Sequence, residues 1–412
     1  EPTEAPEAEA TEAPQVESTE TPAAPETAVQ QEPVVEEKLV ASYDMTTNGT
    51  ALVDVSGNGN DATLSGTTDA SFAGGNWHMN KDSFATLPAG LITGEEFTVQ
   101  FTATTTTKAA HWMFALGDGF GNWNDKNVGN YIFMNPAPTE RNGNILSAIK
   151  VGTGSDWKEV RVPDSASAIG LANQQGYATI TMVGEGNELR LYLNGQQVSS
   201  VTHEFKIQDV IPEDKTGYIG KSLYTSDPLM TANLADFKIW NYALSTEELA
   251  AEQPSAEVLA EYFARDIKAA MLGGNSGLEA VTKNLSLPST VNGVAVAWTS
   301  DNTDVLANDG TIHPVVGKDT TVKLTASYSL NDEAKTQKFT VVVKGLDVGK
   351  TLQEAADSLT IPNADDVRGN ITLPESVGEV SVKWATDHEE IVTVESQKAS
   401  VDGYDEIPAG VV

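Results

Sequence analysis

The stretch Leu189-Arg190-Leu191-Tyr192-Leu193-Asn194-Gly195-Gln196-Gln197-Val198 carries the reading of the fold. Leu189, Leu191 and Leu193 alternate with Arg190 and Tyr192, the period-two pattern of a strand with one face toward a core. Asn-Gly supplies the two positive-φ residues of a tight hairpin turn, so Gln196-Gln197-Val198 returns antiparallel. Downstream, after Tyr218-Ile219-Gly220, Phe237 and Ile239 alternate with Asp236, Lys238 and Trp240 in a further strand. Ala243-Leu244-Ser245 follows, and Ser245 with Glu248 three residues on forms a capping box that starts a short helix.

Working outward, short apolar runs bounded by Gly, Asn, Asp or Pro recur at 97–105, 112–116, 131–134, 145–151 and 177–183, a spacing that predicts an all-β domain. Leu39-Val40-Ala41-Ser42-Tyr43-Asp44 reads as the first strand, and the run from Asp54 to Leu64, rich in Ser, Gly and Asn, as a turn cluster entering another. The order from Leu189 to Leu249, with the Asp-x-Ser-Gly-Asn-Gly-Asn-Asp run at 54–61, resembles the laminin-G-like, concanavalin A-like jelly rolls. The resemblance spans residues 38–252 and implies a β-sandwich of a kind that is mostly carbohydrate-binding or adhesive. It also implies a structural Ca²⁺, for which Asp44 and Asp236 are the expected ligands. Asp54 and Asn58 are expected to shape their own loop.

A helical period replaces the β pattern at 255–272, where Val258, Leu259, Tyr262, Phe263, Ile267 and Met271 share a face, Ser255 caps the start and Gly273-Gly274 ends it. An internal repeat follows. Leu287-Pro288, Val294, Val296, Trp298 and Asp301 recur as Leu373-Pro374, Val380, Val382, Trp384 and Asp387, each at an offset of 86. Both copies resemble the atrophied bacterial immunoglobulin-like domain, which implies a sandwich at 253–345 with each Trp in its core, and a second at 346–412. The second copy lacks counterparts of the strands at 322–328 and 339–344, so the parent protein is expected to continue past Val412.

Residues 1–37 hold eleven Glu, six Pro and no Lys or Arg, and are read as a disordered, extended acidic linker. The remaining charge, out of a total of −34, is spread over the other residues. Such an acidic chain does not suit nucleic acid or an anionic membrane surface. No apolar run is long enough for a spanning helix. Without cysteine the chain has no disulfide, thiolate ligand or thiol nucleophile. A secreted or cell-wall-associated bacterial protein, monomeric and with a signal peptide already removed, is the expectation.

Catalytic signatures are missing from 38–252. The acidic strand that places an acid and a nucleophile on one face in concanavalin-type glucanases does not occur. Gly220-Lys221-Ser222 lacks the first glycine of a phosphate loop, and the five histidines show no metal-ligand spacing. Binding of glycans needs aromatic faces flanked by amides and carboxylates. The richest source is 111–135, where Trp123, Asn124, Asp125 and Tyr131 are the candidate contacts, with Trp157 and Trp77 elsewhere. Trp123 serves either as a ligand platform or as packing for its loop, whereas Trp112 and Trp240 read as structural.

The series of domains resembles the accessory regions of bacterial family 43 glycoside hydrolases, arabinofuranosidases and xylosidases. The expected function is therefore a non-catalytic polysaccharide-binding and spacer region whose catalytic domain lies outside this chain. A cell-surface adhesin or stalk that binds a host protein or glycan is the alternative.

Overall fold

Two antiparallel sheets face each other across an aromatic and aliphatic core. In this computed structural model the described residues are 39–117, 129–153, 155–362, 364–378, 380–395 and 398–401, all within one unit of the chain, 38–412. The first part supplies β1 (Leu39–Tyr43), β2 (Thr47–Asn48), β3 (Ala51–Leu52), β4 (Ala62–Ser65), β5 (Trp77–Asn80), β6 (Phe84–Leu87), β7 (Glu96–Thr104) and β8 (Phe114–Gly117). It continues with β9 (Tyr131–Asn135), β10 (Leu146–Val151), β11 (Lys158–Arg161), β12 (Ala178–Glu185), β13 (Glu188–Leu193), β14 (Gln196–Thr202), β15 (Gly217–Ile219) and β16 (Thr231–Trp240).

Sheet A runs β1-β16-β7-β12-β13-β14, with β5 also paired to β16, and sheet B runs β11-β10-β9-β8-β15-β6-β4-β3-β2. Strands distant in sequence become neighbours: Phe237 lies opposite both Tyr43 and Phe101. Phe97, Val99, Phe101, Phe237 and Ile239 point inward from sheet A and meet Phe114, Leu116, Ile132 and Met134 of sheet B. Phe101 stacks on Phe237 at 6.3 Å and meets Phe114 edge-on at 6.3 Å. The jelly-roll expectation holds.

Local expectations hold at the hairpin and the cap. Asn194 and Gly195 have φ of 49° and 76°, and β13 pairs with β14 through a bulge at Leu191/Tyr192. The bulge buries Tyr192 along with Leu191 rather than leaving it on an open face. Ser245 Oγ accepts from the Glu248 N–H at 3.3 Å while Glu248 Oε2 accepts from the Ser245 N–H at 2.7 Å. These bonds open a helix at Thr246–Ala251, which follows a short one at Ile207–Val210; the two are α2 and α1. Asp54 draws its loop together by accepting from the N–H groups of Ser42, Ser56 and Asn60, and Asn58 Nδ2 donates to the Leu39 carbonyl at 2.7 Å.

The next helix, α3 (Ala256–Met271), buries Phe263, Ile267 and Met271 and stops before Gly273, where φ is 57°. A Cβ at Gly273 would lie 2.3 Å from the Asn284 carbonyl oxygen, so only glycine fits there. Beyond it β17 (Thr290–Val291), β18 (Val294–Ser300), β19 (Thr320–Leu330) and β20 (Glu333–Val343) make a four-stranded sheet. Helix α3 belongs to both neighbours: its Phe263 and Ile267 share a cluster with Tyr177 and Ala235 of the jelly roll and with Val322, Leu324 and Val341.

The repeat is visible in atoms. Trp298 Nε1 donates to the Pro288 carbonyl at 2.9 Å and Trp384 Nε1 to the Pro374 carbonyl at 2.8 Å. Each Trp was expected in the core of its sandwich; each is half-buried instead and closes the margin of its cluster. In the second copy Leu373 gathers Ile361, Ile371, Trp384, Val392 and Val394.

Candidate functional site

The outer faces of the two sheets are built from different chemistry. On sheet A the outward side chains of β7 and β12 are Thr98, Gln100, Thr102, Thr104, Thr179 and Thr181, and all are buried. The chain after β16 covers them. Thr98 Oγ1 donates to the Tyr242 carbonyl at 2.8 Å and accepts from the Leu244 N–H at 3.0 Å. Lys238 pairs with Glu252 at 2.8 Å, and Tyr262 of α3 donates to Asp236 Oδ2 at 3.0 Å. This face is closed by α2, α3 and the segment between β16 and α3.

Sheet B turns aromatic side chains outward. Trp112 stacks on Phe133 at 4.1 Å with 17° between the rings, and lies 5.4 Å from Tyr131 and 5.8 Å from Tyr224. Ala115, Ala148, Leu146 and Leu223 complete this cluster, with half-buried Tyr218 and Tyr224 against it. Polar groups are anchored in the same place. Tyr131 donates its hydroxyl to Glu159 Oε2 at 2.6 Å and lies 3.2 Å from the Tyr224 hydroxyl. Arg161 Nε donates to Glu159 Oε1 at 2.6 Å. Burial, with the Glu159 charge added, pushes the Tyr131 hydroxyl far above the usual phenol range. The bond to Glu159 pushes the Arg161 guanidinium above its usual range, so Arg161 stays a cation. Lys150 Nζ donates to the carbonyls of Gly129 and Gly152 and lies 5.2 Å from the Tyr131 ring centre. Farther across the sheet, Lys221 Nζ sits 4.2 Å from the Phe84 ring and 4.7 Å from that of Tyr218.

Register brings several expected residues to one end of sheet B. Tyr131 pairs with Gly117 on one side and Lys150 on the other, and Val151 pairs with Lys158, so Trp157 precedes β11 at that same end. Trp157 is 52% exposed. A cleft of about 340 Å³ opens there, lined among others by Thr86, Gly117, Asp214, Thr216, Tyr218 and Leu223. Half-buried aromatic edges beside a fixed carboxylate and hydroxyls can meet sugar C–H faces and hydroxyl groups together.

The candidates set out from sequence divide. Trp123, Asn124 and Asp125 lie outside the described residues. Trp157 is open, and Tyr131 is buried beneath the face with its hydroxyl committed to Glu159. Trp77 is corrected: it is fully buried, stacked on Phe72 at 5.6 Å, with Nε1 donating to Ser83 Oγ at 3.2 Å, so no ligand reaches it. Its polar neighbours Asn76 and His78 hid an inward-facing strand position. The residues missed are Glu159, Arg161, Tyr218 and Tyr224, which no motif marks because they come from separate strands and a loop.

The structure gives Asp44 and Asp236 separate protein partners. Asp44 is exposed and accepts from the Thr46 N–H at 3.0 Å. Asp236 serves Tyr262 on the closed face, where burial pushes its carboxyl up despite Lys238 and its hydrogen bonds. Among the described residues no three His, Asp or Glu side chains come together as a metal site, and no helix is long and apolar enough to cross a membrane.

Residues 78–250 match the family profile of the concanavalin A-like lectin/glucanases superfamily, and residues 264–346 that of the atrophied bacterial Ig domain. No curated protein matches the chain. Similar solved structures include domain 4 of AbnA, a GH43 extracellular arabinanase from Geobacillus stearothermophilus, in complex with arabinotriose. It is 17% identical, with 53% of this chain and 98% of that one covered and a TM-score of 0.38. A botulinum neurotoxin serotype D/C binding domain is 10% identical, with 76% and 80% covered and a TM-score of 0.36. The CBM40 of a Ruminococcus gnavus IT-sialidase, bound to alpha2,3 sialyllactose, is 14% identical, with 39% and 84% covered and a TM-score of 0.29.

Proposed function

We propose, for a chain that joins a concanavalin A-like jelly roll to an atrophied bacterial immunoglobulin domain, that the jelly roll binds a polysaccharide without cleaving it. The domains after it act as spacer. The observation that carries this reading is the contrast of the two outer faces. The chain itself closes the polar face of sheet A, while sheet B carries half-buried Tyr218 and Tyr224 beside Tyr131 and its partner Glu159, with a cleft of about 340 Å³ lined by Tyr218 and, before β11, an exposed Trp157. The lectin and glucanase membership of the family matching 78–250 agrees with a glycan ligand. In this reading the chain is the accessory part of a secreted bacterial polysaccharide-degrading enzyme of arabinofuranosidase or xylosidase type. A weak site gains its effect by tethering that enzyme to its substrate.

The test is binding of the whole chain to a panel of plant and mucosal polysaccharides, with and without Ca²⁺, beside Trp157→Ala and Trp123→Ala. Binding to arabinan, xylan or a related glycan is expected, with Trp157→Ala weakening it about ten-fold or more while leaving unfolding within about 0.5 kcal/mol of the parent. A folded chain that binds no glycan would overturn the reading and favour a protein-binding or stalk role.

A further inference from the structure

A line of polar side chains crosses the boundary between the jelly roll, α3 and the first immunoglobulin-like sheet. At its centre Asp266 of α3 is 2% exposed. Its Oδ1 accepts from Asn76 Nδ2 at 2.7 Å, and its Oδ2 from the Tyr177 hydroxyl at 2.7 Å and Asn292 Nδ2 at 2.5 Å. Asn292 Oδ1 accepts from Asn233 Nδ2 at 3.2 Å. Asn233 Oδ1 lies 3.1 Å from His78 Nδ1, and His78 Nε2 lies 2.7 Å from the Ala73 carbonyl oxygen. Asp266 therefore touches both domains at once, and His78 Nδ1 stands 4.0 Å from its Oδ1.

A primary amide has an accepting end and a donating end, so two amides in series transmit a direction. The Ala73 carbonyl only accepts, which requires His78 Nε2 to donate. When Asp266 is ionised, Asn292 must turn its N–H to it, Asn233 must turn its N–H to Asn292, and His78 meets an acceptor at Nδ1. His78 is then a cation that donates from both nitrogens. When Asp266 carries a proton on Oδ2, both amides turn over and a neutral His78 accepts at Nδ1. The two arrangements contain the same number of protons. Remove one proton and both ends of the relay accept; add one and both ends donate. Either way one contact sets like against like, and the cost, about 1–3 kcal/mol for a buried polar group left unpaired, is largest where the mismatch falls on buried Asp266.

We propose that Asp266 and His78 share one proton through Asn292 and Asn233, and that this single-proton state holds the jelly roll, α3 and the immunoglobulin-like sheet in one arrangement. The junction then loosens on both the acid and the alkaline side of a window of pH. Burial pushes the Asp266 carboxyl up, against the Tyr177 and Asn76 bonds, the nearby His78 charge and the Asn233 amide. The other titratable groups on this boundary are Tyr177, Tyr262 with its partner Asp236, Lys268 and Glu279; the last two line the cleft of about 860 Å³ beside His78. Arg265 is turned to Glu261 at 2.9 Å.

Amide hydrogen exchange of the whole chain from about pH 4 to about pH 10, corrected for intrinsic rates, reads the junction directly. Protection of α3 and of residues 290–294 is expected to peak at intermediate pH and to fall about ten-fold on both sides, with β7 as the internal reference. Protection that tracks β7, or that moves in one direction only, would overturn the proposal. Asn233→Leu cuts the relay and is expected to abolish the peak whatever its effect on absolute protection; a surviving wild-type profile would also overturn it.

Discussion

Sheets A and B of the jelly roll share one core but differ on their outer faces. The face of sheet A is a field of threonines that ends up dry, because the chain leaving β16 folds back across it and satisfies it: Thr98 to Tyr242 and Leu244, Asp236 to Tyr262, Lys238 to Glu252. The face of sheet B carries Trp112, Tyr131, Phe133 and Tyr224, with a carboxylate and a guanidinium fixed among them. A polar sheet face is therefore no sign of a binding site. What decides is which face the rest of the chain needs for its own closure.

The largest test of this contrast is Trp112→Ala, which removes the ring stacked on Phe133 at 4.1 Å. A loss of about 3–5 kcal/mol in denaturant unfolding is expected, with glycan binding weakened because Tyr131 and Tyr224 lose their support. A loss below about 1 kcal/mol would show that the aromatic face is not packed as described. On the closed face, Thr98→Val keeps the shape but leaves the Leu244 N–H without its acceptor. It should cost about 1–3 kcal/mol and leave glycan binding unchanged. A binding defect in this variant would mean that the two faces are not independent. The smallest effect belongs to Ser245→Ala, which removes the cap of α2 on the covering segment: about 1 kcal/mol in the same unfolding measurement, again with binding intact.

Much of this architecture was legible from local chemistry. Asn194-Gly195 at the hairpin, Ser245 with Glu248 at the helix start, the helical face ending in Phe263, Ile267 and Met271, and the repeated Leu-Pro…Trp unit are each set by residues close in sequence. The candidate site was less so. Trp157, an aromatic in polar surroundings, is exposed, but the same argument chose Trp77, which the structure buries. Neighbouring polar residues such as Asn76 and His78 satisfy an interior network as readily as they meet solvent, and the local pattern is the same for both.

The sequence by itself determined the strands, turns, caps and the repeat, because those depend on backbone preference and on the period of apolar side chains over a few residues. Only the tertiary structure decided which sheet face is closed, that Glu159 meets Tyr131 and Arg161, and that Asp266 is served by Asn76, Tyr177 and Asn292. Those contacts join residues up to 190 positions apart. No local preference encodes them, because each exists only once the sheets and the helix between the domains have fixed where the side chains meet.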